Sequence, residues 1–116
     1  MKRIYIAGKL SDMTTCGYIQ NVSTMIKKAN EIRKLGYAVF IPALDILTGI
    51  IDGGMEYTDY TDNNKAWLKV ADAVFVLPGS EQSRGTQEEI ALALMWGIPC
   101  VHKVQDVADL FKTGGK

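Results

Sequence analysis

The sequence predicts an α/β fold, a three-layer sandwich with helices on both faces of a parallel sheet of four to five strands. Three observations lead there. Short, largely apolar runs recur at residues 3–7, 37–41 and 73–77, the last of them continuously apolar and rich in β-branched residues, as a strand buried on both faces requires. Segments with apolar residues every three to four positions lie between them, and the two clearest are closed by Gly36 and Gly97. Strand and helix signals alternate along the chain, which is the order of a parallel sheet with right-handed crossovers rather than of hairpins.

The first strand, residues 3–7, ends at Gly8, and a polar loop follows over residues 9–15. Tyr18, Val22, Met25, Ala29 and Ile32 then mark one face of a helix stopped at Gly36. The second strand, residues 37–41, is ended by Pro42. Leu44, Leu47, Ile50 and Ile51 suggest a short helix broken at Gly53 and Gly54, and the tyrosine-bearing stretch 56–62 reads as polar loop. A connection of this length in a small domain is commonly a lid over a site. Thr61 or Asp62 is expected to cap the next helix, which carries Ala66, Trp67, Leu68 and Val70. The central strand, residues 73–77, ends at Pro78 and Gly79. Residues 80–85 form a polar loop, and a helix runs from Thr86 with Ile90, Ala93 and Leu94 on one face. Residues 100–102 are a short fourth strand, 104–111 a last amphipathic helix and 113–116 a frayed tail.

The expected strand order is 2-1-3-4, with room for a fifth at the edge, in one flavodoxin- or Rossmann-like domain over residues 1–116. Strands one and three are then neighbours whose following loops, 8–11 and 78–85, leave in opposite directions. Open parallel sheets bind ligands beyond the strand ends at such a point.

Composition excludes several classes of function. The 116 residues carry 13 basic and 13 acidic side chains, with no basic stripe, so neither a nucleic acid polymer nor a membrane surface is an expected partner. No secretion signal or run of membrane-spanning length is visible, and Cys16 and Cys100 read as reduced thiols of a cytoplasmic protein. The dinucleotide fingerprint, the P-loop and the G-x-S-x-G elbow are all absent, and His102 has no nucleophile to serve. No cofactor or metal is expected.

What remains is a pair of acids beside a loop. A strand feeding a Gly/Ser loop into a helix aims backbone N–H groups at the space above the sheet, where an anion can sit. Glu88 and Glu89 lie just inside that helix. With Ile90 toward the sheet, a turn of 100° per residue sends Glu88 into solvent and leaves Glu89 on the flank, facing the loop. Glu89 is the candidate working carboxylate, although spacing alone equally allows both acids merely to complement the helix dipole. Tyr5 shares a sheet face with Ala7; it is either a hydroxyl presented near the switch point or a core tyrosine bonded to a backbone carbonyl.

I-Y-I-A-G at residues 4–8, G-Y-A-V-F-I-P-A at 36–43, W-L-K-V-A-D-A-V-F-V-L-P-G at 67–79 and S-R-G-T-Q-E-E at 83–89 together resemble the nucleoside 2-deoxyribosyltransferase superfamily, which includes 2'-deoxynucleoside 5'-phosphate N-hydrolases. The resemblance covers nearly the whole chain, and its specific part is S-x-G-x-x-x-E at Ser83, Gly85 and Glu89. It implies cleavage of the N-glycosidic bond of a (deoxy)nucleoside 5'-monophosphate through a covalent glycosyl-Glu89 intermediate, with Tyr5 nearby and water or a second base as acceptor. Serine at the first motif position goes with a 5'-phosphate, and aspartate with a free nucleoside. Gly8, Lys9, Ser11 and Gly85 are further candidates to hold the phosphate, and Asp45, Asp62 and Asn64 to touch base or sugar. An aspartate is often found eight residues before the position of Asp72, where this chain has Asn64. The resemblance also implies a homodimer or higher homo-oligomer in which subunits complete each other's sites. Two other readings stay open: a transferase acting on free nucleosides, and a nucleotide-binding or sensing protein without chemistry.

Overall fold

Strand β1 (Arg3–Ala7) alternates its side chains between two cores, and the rest of the chain is built around that alternation. Ile4 and Ile6 face one layer, while Tyr5 and Ala7 face the other. The computed structural model describes residues 1–112; the expected frayed tail, 113–116, lies outside them. Helix α1 (Thr15–Lys34) covers the Ile4 side. Strand β2 (Ala38–Phe40) pairs in parallel with β1, and a single 3-10 turn, Pro42–Leu44, leads into helix α2 (Asp45–Ile51). Helix α3 (Tyr57–Lys69) covers the Tyr5 side and returns the chain to strand β3 (Ala73–Val76), which pairs with the other edge of β1. Helix α4 (Arg84–Met95), edge strand β4 (Cys100–Val101) and helix α5 (Val104–Lys112) complete the order.

The sheet runs β2-β1-β3-β4, all parallel, as the alternation of signals predicts. Val22, Met25, Ala29 and Ile32 of α1 and Val107 of α5 pack on Ile4, Ile6 and Phe75; Leu68 of α3 and Ala93 of α4 pack on Tyr5, Ala7, Val74 and Val76. Burial of each large apolar side chain contributes roughly 1.5–3 kcal/mol. Gly36 and Gly97 take the left-handed backbone (φ +102 and +74) that ends α1 and α4. Among the described residues no helix is long and apolar enough to cross a membrane.

Several expected boundaries are corrected. Residues 56–62 are not a loop but the first turns of α3, and neither Thr61 nor Asp62 caps that helix. Glu56 occupies the cap, and its N–H donates to the Asp59 carboxylate at 2.8 Å. Acids at both positions obscure the usual Ser/Thr-x-x-Glu signature. Helix α4 starts at Arg84, so Gly85 belongs to its first turn rather than to the loop, and Ser83 is the cap. The strands are shorter than expected: Tyr37, Ile41, Leu77 and His102 fall outside them.

The exits of β1 and β3 run side by side, with the Leu77 N–H donating to the Ala7 carbonyl at 2.9 Å. A Cβ at Gly8 would collide with Leu77 Cδ1 and lie 3.0 Å from Leu77 Cβ. Gly8→Ala is therefore expected to destabilise the fold by about 1–3 kcal/mol, the usual cost of overpacking, as measured by denaturant unfolding. An unchanged midpoint would contradict the close approach.

Candidate active site

Three parallel strands deliver their C-terminal ends to one place. β1 ends at Gly8, β2 leads through the 3-10 turn to Asp45, and β3 leads through a short loop to Ser83 and α4. Between these ends and α3 lies a cavity of about 720 Å³, bordered by Gly8, Ser11, Asp45, Asn64, Ser83 and Glu89 among others. Sites for small molecules typically span about 300–1,000 Å³.

Glu89 and Tyr5 meet at its floor. The Tyr5 hydroxyl donates to Glu89 Oε2 at 2.5 Å, so this tyrosine bonds a carboxylate rather than a backbone carbonyl. Tyr5 is itself only 1 % exposed and is not part of the cavity wall; it supports Glu89 from beneath. Its ring is held in turn by a run of aromatics. Phe40 of β2 stacks on it with centroids 5.4 Å apart, and Trp67 of α3 stacks on Phe40 at 5.7 Å.

Burial pushes the Glu89 carboxyl up to about 7; the Tyr5 hydrogen bond pulls it down, and the neighbouring Glu88 charge pushes it up. Glu88 is exposed, 3.5 Å from Arg84 Nε, as its helix position predicts. Burial, together with the charges of Glu89 and then Asp45, pushes the Tyr5 hydroxyl far above its ordinary range, so it remains a proton donor at any working pH. Burial also raises the Asp45 carboxyl. The partly exposed Asp45 carboxylate makes no hydrogen bond or ion pair among the described residues, and Asn64 Oδ1 is buried with no partner.

The other end of the cavity is the N-terminus of α4. Ser83 Oγ accepts from the Thr86 N–H at 3.3 Å and from the Thr86 hydroxyl at 2.9 Å, which leaves its own O–H free to donate elsewhere. Thr86, 2 % exposed, is thereby fixed. The preceding loop is tied down as well: the Ser80 hydroxyl donates to the Leu77 carbonyl at 2.7 Å, and Gln87 Nε2 donates to the Ser80 carbonyl at 3.2 Å. The space above Gly85 holds no protein atom within 4 Å of a Cβ built there.

Two expected site residues stand apart. Lys9 is exposed and borders a separate cavity of about 230 Å³ with Asn21, Thr24 and Gly79, on the α1 side of the sheet ends. Asp62 is exposed on α3 and is not part of the main cavity wall. Conversely, Tyr57, Tyr60, Thr61 and Thr86 border the cavity without having been singled out. The first three lie in the long connection that the sequence marks as a lid over a site, but read as loop it gave them no individual positions; the acids Glu56 and Asp59 that start α3 were the signal for those.

Residues 2–102 match the family described as a domain of unknown function (DUF4406). The chain belongs to that family. The fold is found again in a 2-deoxyribosyltransferase from the psychrotolerant bacterium Bacillus psychrosaccharolyticus, with a TM-score of 0.66 and 24% identity over 84% of this chain and 69% of that one. At that identity the likeness is one of fold. The α/β fold anticipated from the sequence, with strand order 2-1-3-4, is thus present in the structure. Among curated proteins no sequence matches.

The raised Glu89 carboxyl has a consequence for stability. The folded chain keeps this proton up to about pH 7, whereas an unperturbed carboxyl releases it near 4.5, so the group destabilises the fold as pH rises through that window. Glu89→Gln removes the buried charge and keeps an acceptor for Tyr5. It is expected to stabilise the protein by roughly 2–3 kcal/mol at pH 8, with the gain fading to nothing below about pH 4.5. Thermal unfolding across pH checks this, and an equal effect at both ends of the range would contradict it.

Proposed function

We propose that the protein cleaves the N-glycosidic bond of a (deoxy)nucleoside 5'-monophosphate, with Glu89 as the nucleophile. The observation that carries this reading is the Tyr5–Glu89 pair: a half-buried carboxylate, fixed from below by a phenol, at the floor of a cavity large enough for a nucleotide. A shared fold with a 2-deoxyribosyltransferase supports it.

In this mechanism a Glu89 oxygen attacks C1' through an oxocarbenium-like transition state. The C1'–N bond breaks, its electron pair leaves with the base, and the base takes up a proton from water. Water then attacks C1' of the glycosyl ester, releases a proton to solvent and regenerates the Glu89 carboxylate with net retention; a second base in place of water makes the reaction a transfer. Tyr5 is a positioning residue: it holds one carboxylate oxygen and leaves the other for attack. The free Ser83 O–H and the first N–H groups of α4 beside Gly85 suit a 5'-phosphate, for which the positive helix end adds about 0.3–1 kcal/mol. Anchoring that remote group orients C1' over Glu89.

A second reading, a nucleotide-binding protein without chemistry, is favoured by one observation. Asn64 is a neutral amide facing the cavity, and an amide does not protonate a leaving base. We also take the assembly to be a homodimer, in which a second copy covers Leu47, Ile50 and Ile51, apolar side chains that α2 leaves exposed. Light scattering that returns the monomer mass would refute that.

The test is release of free base from a panel of 5'-monophosphates and nucleosides. Glu89→Gln and Glu89→Ala are expected to abolish release while nucleotide binding stays within a few-fold. Retained turnover in either would remove Glu89 from the mechanism, and binding without release in the wild type would favour the second reading. Only the ionised carboxylate attacks, so kcat/KM is expected to fall about tenfold per pH unit below the Glu89 titration at about 7 and to level off above it. Gly85→Ala, in a helical turn with open space above it, is expected to raise stability by about 0.4–1 kcal/mol. The same change is expected to raise KM for the monophosphate severalfold and to leave KM for the nucleoside nearly unchanged.

A further inference from the structure

The main cavity is short of positive charge for a phosphate ligand. Among the described residues its wall carries three carboxyl groups, Asp45, Glu88 and Glu89, and a single cation, Lys65. A dianion entering such a space meets net repulsion unless a cation is placed to receive it. Two other cations flank the site in sequence, and neither serves. Lys9 borders the separate cavity on the α1 side. Arg84, at the first position of α4, is not part of the wall; its side chain is 93 % exposed, with Nε 3.5 Å from the Glu88 carboxylate.

Lys65 differs from both. It lies on α3, three residues before Leu68, whose side chain is buried against the sheet. Helices α3 and α4 pack side by side on that face, and residues of both border the cavity. α4 contributes Gly85, Glu89 and Leu92, at the i, i+4 and i+7 spacing of one helix face. α3 contributes Tyr57, Thr61 and Lys65, at i, i+4 and i+8. The ammonium is thus brought to the same space as the Ser83 hydroxyl and the first turn of α4, from the opposite helix. It is exposed and forms no ion pair among the described residues, so an incoming anion breaks no contact to reach it. A compact charge on a flexible four-carbon stem can follow that anion into place.

We propose that Lys65 is the cation that receives the anionic end of the substrate, closing on a 5'-phosphate from α3 while Ser83 and the first turn of α4 hold it from the other side. Lys65 then determines specificity, setting the preference for a nucleoside 5'-monophosphate over the free nucleoside. This inference rests on the cleavage reading for the chemistry of the ligand, and it gives Lys65 the role that proximity in sequence assigned to Lys9. The opposing reading is a solvated surface lysine, whose removal costs both substrates alike.

The experiment measures kcat and KM for a 2'-deoxynucleoside 5'-monophosphate and for the matching nucleoside in the wild type, Lys65→Gln, Lys65→Arg and Lys69→Gln. Lys69 lies one turn further along α3 and outside the cavity wall, so its variant removes the same charge from the same helix. Lys65→Gln is expected to lower the ratio of kcat/KM for the monophosphate to that for the nucleoside by about ten- to a hundredfold, the usual worth of a hydrogen bond to a charged group. The loss falls on KM rather than kcat, as for an interaction made equally in the bound and transition states. Lys65→Arg keeps the charge and is expected to recover most of the ratio, and Lys69→Gln to leave it as in the wild type. A ratio within about twofold of the wild type in Lys65→Gln, folded by circular dichroism, would overturn the proposal. So would an equal loss in Lys69→Gln, or a loss as large in Lys65→Arg as in Lys65→Gln. Calorimetry on the Glu89→Gln protein reads the same preference without chemistry. Tighter binding of the monophosphate that disappears when Lys65→Gln is added, with no base released by the wild type, sustains Lys65 and removes the cleavage reading. Base release by the wild type, with monophosphate and nucleoside bound equally, does the reverse, and no binding of either removes both.

Discussion

The hydrogen bond from Tyr5 to Glu89 is the contact on which the site depends. A carboxylate this far from water is unfavourable as an anion, and its pKa near 7 reflects the cost. One donor offsets part of that cost and fixes the direction of the carboxylate. The donor comes from the central strand, almost fully buried, with Phe40 stacked on its ring and Trp67 stacked on Phe40. An acid on the first turns of a helix is thereby coupled to the sheet across 84 residues of sequence. Glu88, one position earlier, has no such partner and lies in solvent.

The two faces that meet there were legible as periodicities, while the bond itself was left open: Tyr5 read equally as a core tyrosine, and its nearness to Glu89 was implied only by the resemblance. Alternation along β1 puts Tyr5 on the face of Ala7, and 100° per residue in α4 turns Glu89 toward that face while Ile90 packs on the sheet side. The strand order followed from the alternation of strand and helix signals. Side-chain reach across loops was not legible. Lys9 follows Gly8 directly, and proximity in sequence suggested a shared anion site, yet both lie past the end of β1, where strand alternation no longer applies, and Lys9 borders the separate cavity with Asn21 and Thr24. Asp62 was read as a cap because the acids at Glu56 and Asp59 do not form the familiar capping signature, and once α3 begins at Tyr57 that residue turns outward. Nothing in the pattern of β1 alone told whether Tyr5 lines the cavity or lies beneath it; the packing of α4 over the strand decides that.

The cavity is chemically asymmetric, and the asymmetry follows the sheet. At the β3 side the first turn of α4 offers N–H groups and a free hydroxyl, a setting for negative charge. At the β2 side the wall carries the Asp45 carboxylate, an acceptor. The Glu89 carboxylate, held by Tyr5 of β1, belongs to the same wall.

The most direct test of the account is to look for the bond it requires. Protein mixed with a nucleoside 5'-monophosphate that it cleaves, quenched in acid within the first turnover and digested, would be examined by mass spectrometry. The account predicts a peptide containing Glu89 heavier by the mass of the sugar phosphate, and no such peptide from Glu89→Gln. Base release under the same conditions with every Glu89 peptide unmodified, or with the sugar attached to another residue, would contradict it.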